Sequence, residues 1–193
     1  MSEPMVFAKS RRERYEVRDD GRRIHTRELP AVVGSLSAGE RVLLSGTLYT
    51  ARDAAHARLA ALLAAGEDLP FPPGAVLYYA GPTPAPAGMP IGSCGPTTSK
   101  RMDPYTPALL AAGVCATVGK GERAEAVVRA IREYHSVYFC ALGGAGALAA
   151  RRVRACEVVA FADLGCEAVH RLEIEDFPVY VGVDSKGSTI FTK

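Results

Sequence analysis

Apolar residues along this chain fall into short runs separated by glycine-rich, proline-rich or charged turns, and several of the intervals carry helical periodicity. Arg41–Thr50 (RVLLSGTLYT) is apolar and β-branched enough to predict a strand. Thr50-Ala-Arg-Asp53 then has the spacing of a capping box, which predicts a helix running to about Ala65 and closed by Gly66. Ala75–Ala80 predicts the next strand, followed by a Gly/Pro-rich stretch from Gly81 to Pro96 and a helix from about Pro104 to Ala112. Val114–Val118 predicts a third strand, which ends in Gly119-Lys120-Gly121. Beyond that turn, Glu122–Tyr134 has the period of an amphipathic helix with Ala126, Val127, Ala130 and Ile131 on one face. Ser136–Leu142 leads into GGAGALAA, and Glu157–Phe161, Val169–Ile174 and Val179–Asp184 predict three further strands. One more strand is expected near Arg23–Leu29.

Strands alternating with helices predict an α/β domain with parallel strands, and the β-rich ends predict additional layers. No internal repeat or low-complexity linker divides the 193 residues, so a single domain is the economical expectation. In open α/β sheets, ligands collect where loops leave the carboxyl ends of parallel strands. The candidate loops are then Tyr49–Asp53, Gly81–Arg101, Gly119–Gly121 and Gly143–Gly146.

Composition narrows the field. An apolar fraction of 48% excludes disordered and collagen-like classes, and 23 basic against 21 acidic side chains provide no broad field for nucleic acid or an anionic membrane. The first thirty residues interleave Arg11, Arg12, Arg14, Arg18, Arg22 and Arg23 with Glu13, Glu16, Asp19 and Asp20 and contain no apolar core, so neither a signal peptide nor a membrane span is expected there. Five widely spaced cysteines without a CxxC pair predict reduced thiols and a cytoplasmic location, with no complete metal or iron–sulfur site in this chain.

Local charge is more selective. Arg52 stands in the first turn of a predicted helix, where free amides and the helix dipole already favour an anion, and it can equally pair with Asp53. His56 follows one turn later, as a packed histidine or a base. Lys120 between two glycines resembles a phosphate loop, but the spacing from Gly113 and the missing Ser or Thr after the lysine exclude Walker A. A lysine in a closely approachable turn survives as an anion contact. Gly144-Ala-Gly146-Ala-Leu-Ala149 matches a permissive dinucleotide fingerprint with Asp163 about 20 residues on, and it reads alternatively as glycines for tight strand–helix packing. Gly95-Pro-Thr-Thr98, followed by Lys100 and Arg101, offers a hydroxyl beside cations, or a turn whose threonine caps the next helix.

Seven ordered blocks then carry a family resemblance: SGTLYTARDAAHARL, YYAGPTPAPAG, IGSCGPTTSKRMDPYTP, VGKG, VYFCALGGAGAL, AFADLGCEAVHRLEIEDFP and VDSKG. Together they resemble the β subunit, or C-terminal domain, of class I iron–sulfur fumarate hydratases and the related tartrate dehydratases. The resemblance, which spans about Ala38 to the C-terminus, implies a swivelling β/β/α fold with residues 31–193 as the hydro-lyase domain; residues 1–30 are read as an N-terminal arm that contributes a strand and partner contacts or is merely solvated. It implies an α partner subunit that carries a [4Fe–4S] cluster, an α2β2 complex, and reversible hydration of the dicarboxylate fumarate to malate.

Carried over position by position, Thr97 corresponds to the catalytic base at C3 of malate, and Arg52, Arg101 and Lys120 to substrate-carboxylate contacts. Thr98, Asp53 and His56 take supporting roles in orientation or capping. Cys94 is expected to be a small buried thiol. An L-tartrate dehydratase β subunit is the neighbouring alternative, and a nucleotide-binding module using Gly144 and Gly146 the alternative of another class.

Overall fold

The structure is a computed structural model that describes residues 21–191; the arginine-rich segment 1–20, where most of the proposed arm falls, lies outside the described residues. The chain is a mixed α/β protein. Its strands are β1 (Arg22–His25), β2 (Arg41–Thr50), β3 (Val76–Tyr78), β4 (Ala116–Gly119), β5 (Val137–Cys140), β6 (Val153–Ala160) and β7 (Val169–Val183). Its α-helices are α1 (Leu29–Val32), α2 (Asp53–Ala65), α3 (Thr106–Ala111), α4 (Glu125–Glu133) and α5 (Gly146–Ala150).

β2, β3, β4 and β5 run parallel in that order, and β7 pairs antiparallel with both β5 and β2. Five strands therefore close into a ring. β1 lies parallel along the first half of β2, with Ile24 opposite Leu44, and β6 lies antiparallel along the first half of β7.

The ring explains the near-continuous apolar runs, because its parallel strands are buried on both faces. Val76, Tyr78, Ala116, Val118, Val137 and Phe139 point to one core with Leu48, Leu172, Phe177 and Val181. The alternate residues Leu77 and Tyr138 point to a second core, formed with Leu59 of α2, Leu109 of α3 and Val127 of α4. Burying side chains such as Phe139, Phe177 and Leu48 contributes about 1.5–3 kcal/mol each.

Four details differ from the sequence expectation. The predicted capping box does not form: the N-cap of α2 is Arg52, while Thr50 ends β2. The Thr50 hydroxyl is instead spent on the start of the neighbouring strand β7, accepting from the His170 amide at 3.0 Å and donating to the Ala168 carbonyl at 3.3 Å. Helix α4 begins at Glu125, not Glu122, and Ala126 is exposed while Val127, Ala130 and Ile131 are buried. Arg123 is drawn inward to an acid, which delays the helix and rotates its apolar stripe.

The runs Val169–Ile174 and Val179–Asp184 belong to one strand. Glu175 and Asp176 form a bulge within β7, where the register against β2 shifts between Leu44, paired with Phe177, and Gly46, paired with Ile174. Asp176 takes φ +48° there, and its amide is held by the Ser45 hydroxyl at 3.0 Å. The fourth difference is that the strand expected near Arg23–Leu29 ends at His25 and gives way to helical turns. No helix among the described residues is long and apolar enough to cross a membrane.

Candidate functional site

Arg52, Thr97, Arg101 and Lys120 lie in the loops that leave the carboxyl ends of β2, β3 and β4, three neighbours in the ring. The segment after Pro96 re-enters the sheet. The Thr97 amide donates to the Tyr79 carbonyl at 2.6 Å, the Lys120 amide to the Thr97 carbonyl at 3.3 Å, and the Ser99 amide to the Lys120 carbonyl at 2.9 Å. Residues 97–99 are thereby wedged between the extensions of β3 and β4, and Thr98 forms a parallel bridge with Lys120. This approach needs a glycine at 119: an added Cβ would lie 2.0 Å from the Ser99 hydroxyl and 2.9 Å from the Tyr79 ring.

A single 3-10 turn, Ser99–Met102, then carries Arg101 outward, with half of its side chain exposed. Arg101 Nη2 meets Asp53 Oδ2 at 3.0 Å, and Arg52 Nη2 lies 3.9 Å from the same oxygen. Arg52 also faces Glu167 at 3.5 Å, and its buried Nε has no hydrogen-bond partner among the described residues. Glu167 caps the helix by accepting from the Ala54 amide at 3.0 Å. Two cationic forks from different loops therefore converge within reach of one carboxylate. Lys120 forms no ion pair among the described residues, and its stem lies beside Gly143.

The supporting positions divide. Asp53 is the bridge just described. His56 is fully buried, and its Nδ1 lies 2.9 Å from the Arg52 carbonyl, which also accepts the His56 amide at 2.8 Å. Burial between the rings of Tyr79 and Tyr105 pushes its pKa down to about 4, so it is a neutral strut for Arg52 and not a proton carrier near neutrality. Thr98 occupies the N-cap position of the 3-10 turn, but its side chain makes no capping bond, contrary to the capping expectation. Its conformation is taken up by pairing with Lys120. Lys100 is exposed.

Gly144 and Gly146 do not build a dinucleotide cradle. Helix α5 has only five residues, and Gly146 lies against Gly95, with the Cys94 amide donating to the Gly146 carbonyl at 3.1 Å. Gly146 is small because the Ser93–Gly95 backbone leading to Thr97 packs on it. Asp163 pairs with Arg58, one of its bonds measuring 2.7 Å. Cys94 is buried and its thiol is pushed up to about 12 by that burial. Among the described residues no group of three or more His, Cys, Asp and Glu side chains is disposed to hold a metal ion, so the described donors do not form a cluster site.

Sequence reasoning passed over Asp103, Arg123, Ser99, Tyr138 and Glu167. Ser99 and Tyr138 share a hydrogen bond of 2.9 Å beneath the 97–101 turn, and the Tyr138 hydroxyl donates to the Gly121 carbonyl at 2.7 Å. Burial raises the Tyr138 pKa and keeps that hydroxyl protonated. No periodicity links such partners, which lie far apart along the chain.

Fold and site thus define a class: an α/β domain that presents hydroxyls and guanidinium and ammonium groups at the carboxyl ends of parallel strands. More particularly, the chain belongs to the Fumarase C-terminus family, whose model matches residues 4–193. It is 39% identical over 168 residues to the anaerobic class I fumarate hydratase of Escherichia coli, an alignment covering 86% of this chain and 31% of that protein. It is 40% identical over 171 residues to the mitochondrial fumarate hydratase 1 of Leishmania major, covering 86% and 31%. It is 37% identical over 166 residues to a Methanocaldococcus jannaschii protein named as an L(+)-tartrate dehydratase subunit beta, covering 82% of this chain and 85% of that one. The chain therefore spans about a third of the length of the fumarate hydratases it matches, and most of the tartrate dehydratase subunit.

Proposed function

We propose that this chain is the β subunit of a two-subunit hydro-lyase that interconverts fumarate and malate. The observation that carries the reading is the convergence of Arg52, Thr97, Arg101 and Lys120 at the ends of three adjacent strands, in a chain of the Fumarase C-terminus family. A dianionic dicarboxylate needs cations at both ends to hold its C2–C3 bond in register. Arg52 and Arg101, already within reach of one carboxylate, serve one end; Lys120 serves the other.

In the dehydrating direction, Thr97 removes a proton from C3, the C3–H electrons form the double bond, and the C2 hydroxyl leaves as water after protonation by an acid of the partner. The neighbouring cations favour the oxyanion form of Thr97 that this step requires. A [4Fe–4S] cluster belongs to the α partner in this reading and supplies Lewis acidity to the leaving hydroxyl when bound. The half-exposed state of the Arg101 and Asp53 side chains supports a site that a second subunit must cover before water is excluded. The swivelling β/β/α fold, the arm at residues 1–30 and the α2β2 assembly go with the same proposal.

A second reading, the β subunit of an L-tartrate dehydratase, is favoured by one observation: this chain is 37% identical over 166 residues to a protein named as such a subunit. The two substrates differ by a hydroxyl at C3, and a pocket hydrogen-bonded to that group rejects the molecule lacking it. Co-expression with a candidate α partner, anaerobic cluster reconstitution and assay with malate, fumarate and both tartrates tests both readings. Dehydration of malate but not tartrate is expected. The reverse preference selects the second reading, and inactivity on all four removes both.

A further inference from the structure

Arg123 has a fully enclosed side chain, and its partner Asp103 is 8% exposed. Such a pair is costly to bury unless its donors and acceptors are matched. Here Arg123 Nε donates to Asp103 Oδ1 at 2.7 Å, Nη2 to the Thr106 and Tyr79 hydroxyls at 2.8 and 3.4 Å, and Nη1 to the Thr117 hydroxyl at 3.2 Å. The guanidinium lies 4.8 Å from the Tyr138 ring centre and 5.3 Å from that of Tyr79. Burial opposes its charge, but Tyr79 and Asp103 more than offset this, so its pKa is raised. Asp103 Oδ2 accepts from the Ala124 amide at 2.7 Å, which leaves neither carboxylate oxygen idle.

The placement of this pair matters more than its strength. One turn runs from Thr97 through Arg101 to Asp103, and the other from Lys120 to Arg123 and Ala124. At their beginnings the turns are joined by the backbone bonds of Thr97, Ser99 and Lys120; at their ends they are joined by Asp103 to Arg123 and Ala124. Midway, the Tyr138 hydroxyl touches Ser99 on one turn and Gly121 on the other. Both site turns are thus closed at each end. Apolar residues would fill this volume at least as stably, but their contacts are non-directional and would not fix one turn's register against the other.

We propose that Asp103 and Arg123 are positioning residues, a buried latch that presets the distance between Lys120 and the Thr97–Arg101 turn before any substrate arrives. The kinetic consequence rests on the hydro-lyase reading; the latch itself does not.

The test compares Arg123→Lys and Asp103→Asn with Val33→Ala, a core change on the other side of the ring. Each is made in the full chain and assayed with the α partner. Both latch variants are expected to lower kcat/KM by about 10- to 100-fold, the scale of a displacement near 1 Å, with kcat and KM both altered. Amide hydrogen exchange on the full chain should quicken at Ser99, Lys120 and Ala124 by about tenfold relative to amides of β2. Val33→Ala should leave both readouts at parental values. Should a latch variant not fold, Thr117→Val, which removes one acceptor from Arg123, is expected to shift both readouts several-fold in the same direction. Folded latch variants with parental kinetics and parental exchange would overturn the proposal, as would an equal loss in Val33→Ala. If the parent complex turns over neither malate nor tartrate, the hydro-lyase reading fails on its own, and exchange at Ser99 and Lys120 still decides the latch.

Discussion

Arg101 Nη2 lies 3.0 Å from Asp53 Oδ2, an ion pair that joins the loop after β3 to the first residue of α2. Both side chains are about half exposed, so the pair adds less than about 1 kcal/mol to stability. Its value is in geometry, because the same carboxylate oxygen also faces Arg52. Asp53→Asn is expected to leave the unfolding midpoint nearly unchanged while raising KM for the dicarboxylate several-fold with little change in kcat. A fall in KM would show instead that Asp53 competes with substrate for the guanidiniums.

Thr97 carries the chemistry in the proposed function. Thr97→Ala should reduce kcat by about two to four orders of magnitude, the range for loss of acid–base catalysis, and Thr97→Ser should recover most of it. Turnover assays on the reconstituted complex decide this. An alanine variant with parental kcat removes Thr97 from the mechanism.

The clamp can be separated from the base by steady-state kinetics. Arg52→Ala and Lys120→Ala are expected to raise KM by at least about tenfold, each having removed a charge-assisted contact of about 1.5–3 kcal/mol. Parental KM values in both variants would contradict the clamp.

His56 sets an acid limit on stability. Its folded pKa is lowered to about 4 from an ordinary 6.5, so between those values the unfolded chain binds more protons and stability rises with pH. The contribution is complete above pH 6.5 and is lost as pH falls through 4. Urea unfolding should show about 2 kcal/mol less stability at pH 5 than at pH 7 from this group, and His56→Leu should flatten that part of the profile. An unchanged profile in the leucine variant would place the acid sensitivity elsewhere.

Gly146 provides a check on the packing role of the glycine-rich turn. A Cβ there would lie 2.3 Å from the Ser93 hydroxyl and 3.0 Å from the Gly95 amide nitrogen. Gly146→Ala should therefore destabilise by about 1–3 kcal/mol and depress turnover by shifting the strand-like segment that carries Thr97. Calorimetry of the unaltered chain with NAD or ATP should show no micromolar binding.

The α/β class and most elements were legible in the chain, because β-branched apolar runs and helical periodicity are local properties that follow from burial on one or two faces. The placement of the candidate anion contacts was legible for the same reason: Arg52, Lys120 and the Gly95–Thr98 turn each stand where a strand gives way to a loop. Ring closure was not legible, since it depends on β7 pairing with both β2 and β5, and Glu175–Pro178, which reads locally as a turn, stays in the strand because β2 pairs with Phe177 and Pro178 and leaves only Glu175 and Asp176 as a bulge. Thr50 has the spacing of a cap, yet a partner on the neighbouring strand β7 claimed its hydroxyl. The latch of Asp103 and Arg123 lies furthest from sequence reasoning. Those residues are ordinary surface types until folding removes water from both, and only then does the need to pair two buried charges determine how the site's turns are held.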